Sequence, residues 1–373
     1  MKSLQSCHPM MANSASWRIR LGTIGWFIAG LAFVLAVPIV LQASWMALPA
    51  ILLLAILLAL PIAWVWRRFR PSVHLGRAWT KVGIAFTICL SVILAAPIYY
   101  FASITQLKPA LVPQITLQNG EKEIIFQGMQ HVGAERFYKS IVFDLESALS
   151  NGYILYYEGV RPSTAENDAW FAQTVTHGRD LTSAYRELGS LCGLDFQSDY
   201  LQVVFQDSVA HPENHSVADV DTAQMKAEFD RLMATDPDFA TAMSEADDAP
   251  EPDSDSLDGV VSWLQRGTDA QREMAGVICR GFMTSTMTQS NDSTERQPLD
   301  PLILDFRNRV LAQRLLDEPR DKIYLTYGAA HFPGVYALLR NDDPRWQVVS
   351  VKWLRTIDTP ENYSATLPGL DGA

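Results

Sequence analysis

No aspartate or glutamate occurs before Glu121, although that stretch holds nine basic residues: Lys2, Arg18, Arg20, Arg67, Arg68, Arg70, Arg77, Lys81 and Lys108. The whole chain carries 30 basic against 41 acidic residues over 373 positions. Everything after residue 120 is therefore strongly acidic, which argues against a grip on nucleic-acid phosphates. Cysteine is scarce, with only Cys7, Cys89, Cys192 and Cys279. No C-x-x-C pair is present, so a zinc knuckle or a dithiol redox site is excluded. Cys7 lies in the N-terminal tail and Cys89 inside an apolar run. Cys192 and Cys279 remain as either a disulfide of an oxidising compartment or two buried thiols. The chain also lacks a G-x-S-x-G elbow, a G-x-x-x-x-G-K phosphate loop, an H-E-x-x-H helix and a G-x-G-x-x-G fingerprint.

Long uncharged runs, by contrast, dominate the first part. Residues 21–41, 46–66 and 82–102 are each about the length needed to cross a bilayer as a helix. Three in succession, the first too long for a signal peptide, predict a three-span anchor over residues 21–103. Five basic residues lie between the second and third runs and none between the first and second. By the positive-inside rule, residues 1–20 and the Arg-rich loop are cytoplasmic, and residues 104–373 lie outside. The expected location is the inner or plasma membrane of a bacterium, multi-pass, with the lipid bilayer as partner.

Beyond the linker "KPALVPQ" the pattern changes. "ITLQN", the turn "NGEK" and "EIIFQGM" predict a hairpin. "AERFYKSIVFDLESALSNG" has helical spacing and a stop at Asn151-Gly152, and "YILYYEGV" has the character of a buried strand. This is the size of a βαβ unit. Further on, "YLQVVFQD" (200–207) predicts a strand and "DTAQMKAEFDRLM" a helix capped by Asp221. Residues 236–258, acidic and rich in proline, predict a flexible loop or insertion. Helices over 301–318 and after residue 329 flank the strand "KIYLTYG", and "WQVVSVKWL" closes the chain's pattern. The fold expected is α/β, a mostly parallel central sheet with flanking helices, preceded by three transmembrane helices.

Two strand ends carry the same signature. "FQGMQHVG" places Gly128 and His131 after one strand, and "TYGAAHFPG" places Gly328 and His331 after another. Glu158 ends the strand "YILYYE". In an open parallel sheet the C-terminal strand ends line the functional crevice. Two imidazoles and a carboxylate there form a candidate divalent-metal set, with a water activated at an open position. The polar stretch "HPENHSVADVD" holds His211, His215 and Asp219 and is expected to be a loop, the alternative being that Asp219 approaches the site.

"GMQH" and "GAAH", the "YYEGV" strand end and "FRNRVLAQRL" resemble the TraB/PrgY and TIKI group, whose wider superfamily includes erythromycin esterase-like and ChaN-like domains. The resemblance extends over about residues 115–353 and is weak from 164 to 257. It implies an α/β domain with His131, Glu158 and His331 at the metal, favouring manganese or cobalt, with zinc or iron as alternatives. It further implies Arg307 as a cation on the helix before the last turn, with Asn308 beside it. Members of the TIKI branch are membrane-tethered, metal-dependent proteases, TraB and PrgY members shut down peptide-pheromone signals, and ChaN-like relatives bind haem iron. The expectation is a membrane-anchored, metal-dependent hydrolase acting on a peptide or protein. In it Glu158 is the general base and Arg307 steadies the oxyanion. A non-catalytic binder of a secreted peptide and a haem- or iron-binding protein are the competing readings.

Overall fold

Uncharged runs of this length satisfy their backbone groups internally only as helices, and the computed structural model has three: α1 (Met11–Ala43), α2 (Ala47–Phe69) and α3 (Leu75–Leu107). The structure describes residues 11–69, 74–178, 180–248, 263, 265–292 and 296–361. The first ten residues of the expected cytoplasmic tail therefore lie outside the described residues. All three helices are long and apolar enough to cross a membrane, over Ile19–Ala43, Ala47–Phe69 and Leu75–Leu107. Ala55, Ala59 and Ala63 form a buried line of small side chains along α2, the feature that lets apolar helices approach closely. Leu53, Leu57, Leu60 and Trp64 point outward, as lipid-facing residues do. Tyr99 Oη donates to the Leu35 carbonyl at 2.8 Å and ties α3 to α1. The chain divides into two compact units, residues 1–102 with 264–274 and residues 103–263 with 275–373.

The second unit is built on strands β1 (Leu111–Gln118), β2 (Glu123–Met129) and, after a short β3 (Val132–Gly133) and helix α4 (Glu135–Ser150), β4 (Ile154–Tyr157). Helix α4 forms because Phe137, Tyr138, Ile141, Leu145 and Ala148 recur on one face. Each of the large side chains contributes about 1.5–3 kcal/mol on burial. Its end is set by Gly152, whose φ of 78° is open to glycine without strain. Helices α5 (Ala165–Thr174) and α6 (Leu181–Cys192), strand β5 (Asp195–Phe196) and helix α7 (Gln197–Ala210) follow. Then come β6 (His215–Val217), α8 (Thr222–Thr235), α9 (Pro237–Asp248) and α10 (Asp269–Asp292). The last elements are α11 (Arg307–Asp317), entered through a π-helical turn at Pro301–Phe306, β7 (Lys322–Gly328), α12 (Phe332–Asp342) and β8 (Gln347–Arg355).

Six strands form one sheet in the order β6-β4-β7-β2-β1-β8. The pairs β6/β4, β4/β7 and β7/β2 are parallel, and β1 pairs antiparallel with both β2 and β8. The sheet is thus α/β and mostly parallel, as the alternation of elements predicts. The late strand β7 inserts between β2 and β4, so the first βαβ unit spans a gap that the C-terminal part of the chain fills. One face packs Phe126, Tyr156, Leu325 and Tyr327 under Leu311 and Leu315 of α11. The other packs Leu155 and Tyr324 under Phe137, Ile141 and Leu145 of α4.

Two expectations are corrected. Residues 200–207 belong to α7 and not to a strand, because Tyr200, Leu201 and Val204 share a helical face against the α4 side of the core. Residues 236–258 are not a loop throughout: α9 covers Pro237–Asp248, and Phe239 is buried with Val220, Met225, Leu232 and Leu302. Residues 249–258 lie outside the described residues. Asp221 caps α8 as predicted, in a reciprocal capping box with Gln224.

Candidate functional site

Parallel strands all end at the same edge, and the order β6-β4-β7-β2 brings four ionisable residues to it. Asp219 follows β6, Glu158 follows β4, His331 follows β7 and His131 follows β2. In the register of β2 and β7, Gly128 pairs with Tyr327 and Met129 with Gly328, so both Gly-x-x-His turns leave neighbouring strands. A side chain at Gly128 would meet the Pro113 carbonyl at 2.9 Å and Ala329 Cβ at 3.1 Å. One at Gly328 would come to 3.3 Å from both Glu158 Oε2 and His331 Cδ2. Gly128 thus allows the strands to pack, while Gly328 allows Glu158 and His331 to approach each other.

Arg307 is the centre of the cluster. Its Nε donates to Asp219 Oδ1 at 3.0 Å, and its Nη2 donates to Asp219 Oδ2 at 2.5 Å and to Glu158 Oε1 at 2.7 Å. Nη1 is left outside these bonds, with its two hydrogens still to give. The guanidinium also lies 5.3 Å from the Tyr327 ring centroid. Asp219, only 1 % exposed, accepts in addition from the backbone N–H groups of Gly159 and Val220. Burial works to raise its carboxyl pKa, but the Arg307 bonds and charge outweigh that and hold it below the ordinary range. Burial likewise opposes the Arg307 charge, and Asp219 above all holds the guanidinium protonated. Glu158 Oε2 accepts from the Gly328 N–H at 2.8 Å.

The two histidines are held differently. His331 is 3 % exposed, and its Nδ1 donates to Asn308 Oδ1 at 2.7 Å, which places the proton on Nδ1 and leaves Nε2 as an acceptor. Desolvation and the nearby Arg307 charge push its pKa down to about 4, against the pull of Glu158 and Asp219. The ring is therefore neutral at pH 7. Asn308 reaches His331 by filling the space in front of Gly334, where any side chain would collide with its amide. His131 stands at the exposed end of the edge. The Gln197 side-chain amide donates to its Nδ1 at 2.9 Å, the Gln197 backbone N–H donates to its carbonyl at 3.0 Å, and the Tyr185 ring stacks on it at 4.5 Å. Accepting at Nδ1 leaves the proton on Nε2, so this ring offers a donor. Desolvation lowers the His131 pKa, partly countered by Glu158.

A cavity of about 420 Å³ opens over this edge. His131, Glu158, Arg307 and Thr326 lie on its wall, and its apolar surface includes Leu145, Leu201, Val204 and Phe205. The arrangement combines an anionic acceptor, a fixed cation and an N–H donor beside an apolar space. Among the described residues, no group of three or more His, Cys, Asp or Glu side chains is placed to hold a metal ion. Both Glu158 oxygens already face a donor, and a guanidinium sits where a second cation would have to come. The donor set as it stands does not fit a divalent ion.

Glu158, Arg307, Asn308, His131 and His331, all named from the sequence, fall at one sheet edge. Asp219 was expected in a polar loop, because β6 has only three residues and shows no apolar run. A signal did exist: Asp219 stands two residues past "HSV" and Glu158 one residue past "LYY", each close to the end of a strand. Tyr185 and Gln197 carried no signal, since their role arises from the pairing of β5 with β3. His211 and His215 are outside the cluster: His211 is exposed beside Glu213, and His215 pairs with Asp207 at 2.8 Å. No protein-family model matches the chain, and neither a curated protein nor a solved structure does.

Proposed function

We propose that the protein is a membrane-anchored hydrolase whose reaction site is the Glu158–Arg307 pair at the floor of the cavity, acting on a carbonyl compound such as an ester or a peptide. The observation that carries this reading is the Arg307 clamp: a buried cation held by two carboxylates, one of which, Glu158, lines a ligand-sized space. A carboxylate has about four acceptor positions, and Glu158 uses two. Those remaining would hold the attacking water and take its proton. The His131 Nε2–H and the spare Arg307 Nη1 hydrogens would donate to the carbonyl oxygen as charge builds on it. Asp219 keeps the guanidinium in place, the Gly328 N–H fixes Glu158 Oε2, and Asn308 fixes the His331 ring.

The sequence resemblance to TraB/PrgY and TIKI proteins supports hydrolysis of a peptide. The manganese or cobalt that it implies would require Glu158 to leave Arg307. The test is turnover of chromogenic esters and peptides by the full-length protein in nanodiscs containing EDTA. Activity that survives chelation and falls about a hundredfold in Glu158→Gln is the expected result. Activity that appears only with manganese or cobalt would favour the metal-dependent reading, and no turnover under either condition would favour a non-catalytic binder.

The same reading places the second unit outside the cytoplasm. Two features support it: the basic loop before α3, and the Cys192–Cys279 disulfide, with Cα atoms 5.0 Å apart, which suits an oxidising compartment.

A further inference from the structure

The floor and the wall of the cavity differ sharply in chemistry. Its wall draws Leu201, Val204 and Phe205 from α7, Leu145 from α4 and Phe171 from α5. Of these, Leu145, Leu201 and Val204 belong to the apolar cluster under the sheet, so the space is a continuation of the core. At the floor one guanidinium faces two carboxylates, an excess of one negative charge. An anionic headgroup would be repelled there, whereas a neutral carbonyl would meet the donors of His131 and Arg307. A free hydrophilic peptide would leave the wall uncovered.

We infer that the cavity takes a neutral acyl ester or amide with a long apolar acyl chain, its carbonyl at Arg307 and its chain along Leu145, Leu201, Val204 and Phe205. The hydrolytic part of this rests on the function proposed above; the binding part does not. In the reaction, water's oxygen bonds to the carbonyl carbon as the bond to the leaving oxygen or nitrogen breaks. The water proton passes through Glu158 to the leaving group, and the carboxylic acid formed gives its own proton to solvent. The product carries a carboxylate next to Glu158 and Asp219, and this repulsion drives it out.

The experiment compares acetyl, butyryl and octanoyl p-nitrophenyl esters with the full-length protein in nanodiscs. The specificity constant should rise by about fourfold per added methylene until the chain fills the space. Leu201→Trp, which intrudes on the wall, and Phe205→Ala, which removes part of it, should both lower the octanoyl-to-acetyl ratio. A ratio that is flat across chain length, or unmoved in both variants, overturns the inference. Should no ester turn over, binding of a fluorescent octanoyl amide decides. Binding weakened by Leu201→Trp keeps the acyl site and removes the hydrolase; absence of binding removes the acyl site.

Discussion

Gly328 pairs with Met129 across β7 and β2, and its N–H donates to Glu158 from the neighbouring strand β4. One glycine thereby ties together the three strand ends that carry His131, His331 and Glu158. The repetition of Gly-x-x-His at two distant points of the chain follows from this, since the two turns stand side by side at one edge.

A side chain added at Gly334 would collide with the Asn308 amide. Gly334→Ala should displace Asn308 and free the His331 ring, lowering stability by about 1–3 kcal/mol. Gly120→Ala, with open space around it but a φ of 92°, should cost about 1 kcal/mol through backbone strain alone. Urea titration of the two variants should show only the first losing turnover as well.

Removing either carboxylate partner of Arg307 should have different consequences. Asp219 is fully enclosed, so Asp219→Ala leaves the buried cation with Glu158 alone and should destabilise by roughly 3–5 kcal/mol. Glu158 is partly open to the cavity, so Glu158→Ala should destabilise less while abolishing turnover. Thermal melts and rates measured together would contradict this ordering if Glu158→Ala were the less stable variant.

Much of this architecture was legible in the sequence because it rests on patterns of the right period. The apolar spans, the amphipathic α4 and the apolar strands β2, β4 and β7 each declare themselves locally. Helix α7 did not, because Tyr200, Val203, Val204 and Phe205 have the composition of a strand, and only packing against α4 selects the helix. Helix α9 was hidden by its acidic residues, although Phe239 anchors it to the core. For the site, the sequence showed which residues stand at strand ends. It did not show that Arg307 would bond Glu158 Oε1 and both Asp219 oxygens at once, since that depends on β6 placing Asp219 beside β4.

Acid should reveal His331. Its folded pKa, about 4, lies below the ordinary 6.5, so the unfolded chain binds more protons between those values. The stability that the neutral ring contributes is complete above pH 6.5 and is lost as pH falls towards 4, on the order of 3 kcal/mol in all. His331→Gln should therefore show a shallower loss of stability than the parent across that window. Equal slopes for the two proteins would contradict the buried neutral ring.

The disulfide closes a loop of 87 residues between α6 and α10. Its loss in Cys192→Ser should lower stability by about 2–5 kcal/mol. Thiol labelling of denatured protein, purified from membranes without reductant, should modify Cys7 and Cys89 but not Cys192 or Cys279. Labelling of Cys192 and Cys279 as well would place the second unit in a reducing compartment and reverse the proposed orientation.

The central claim is that Glu158 and His131 act on one substrate in one cavity, and a double-mutant cycle on turnover tests it most directly. Residues that work as a unit give strongly non-additive losses. Glu158→Gln with His131→Ala should be about as slow as the slower single variant. A double variant slowed by the full product of the two single effects would contradict a shared site.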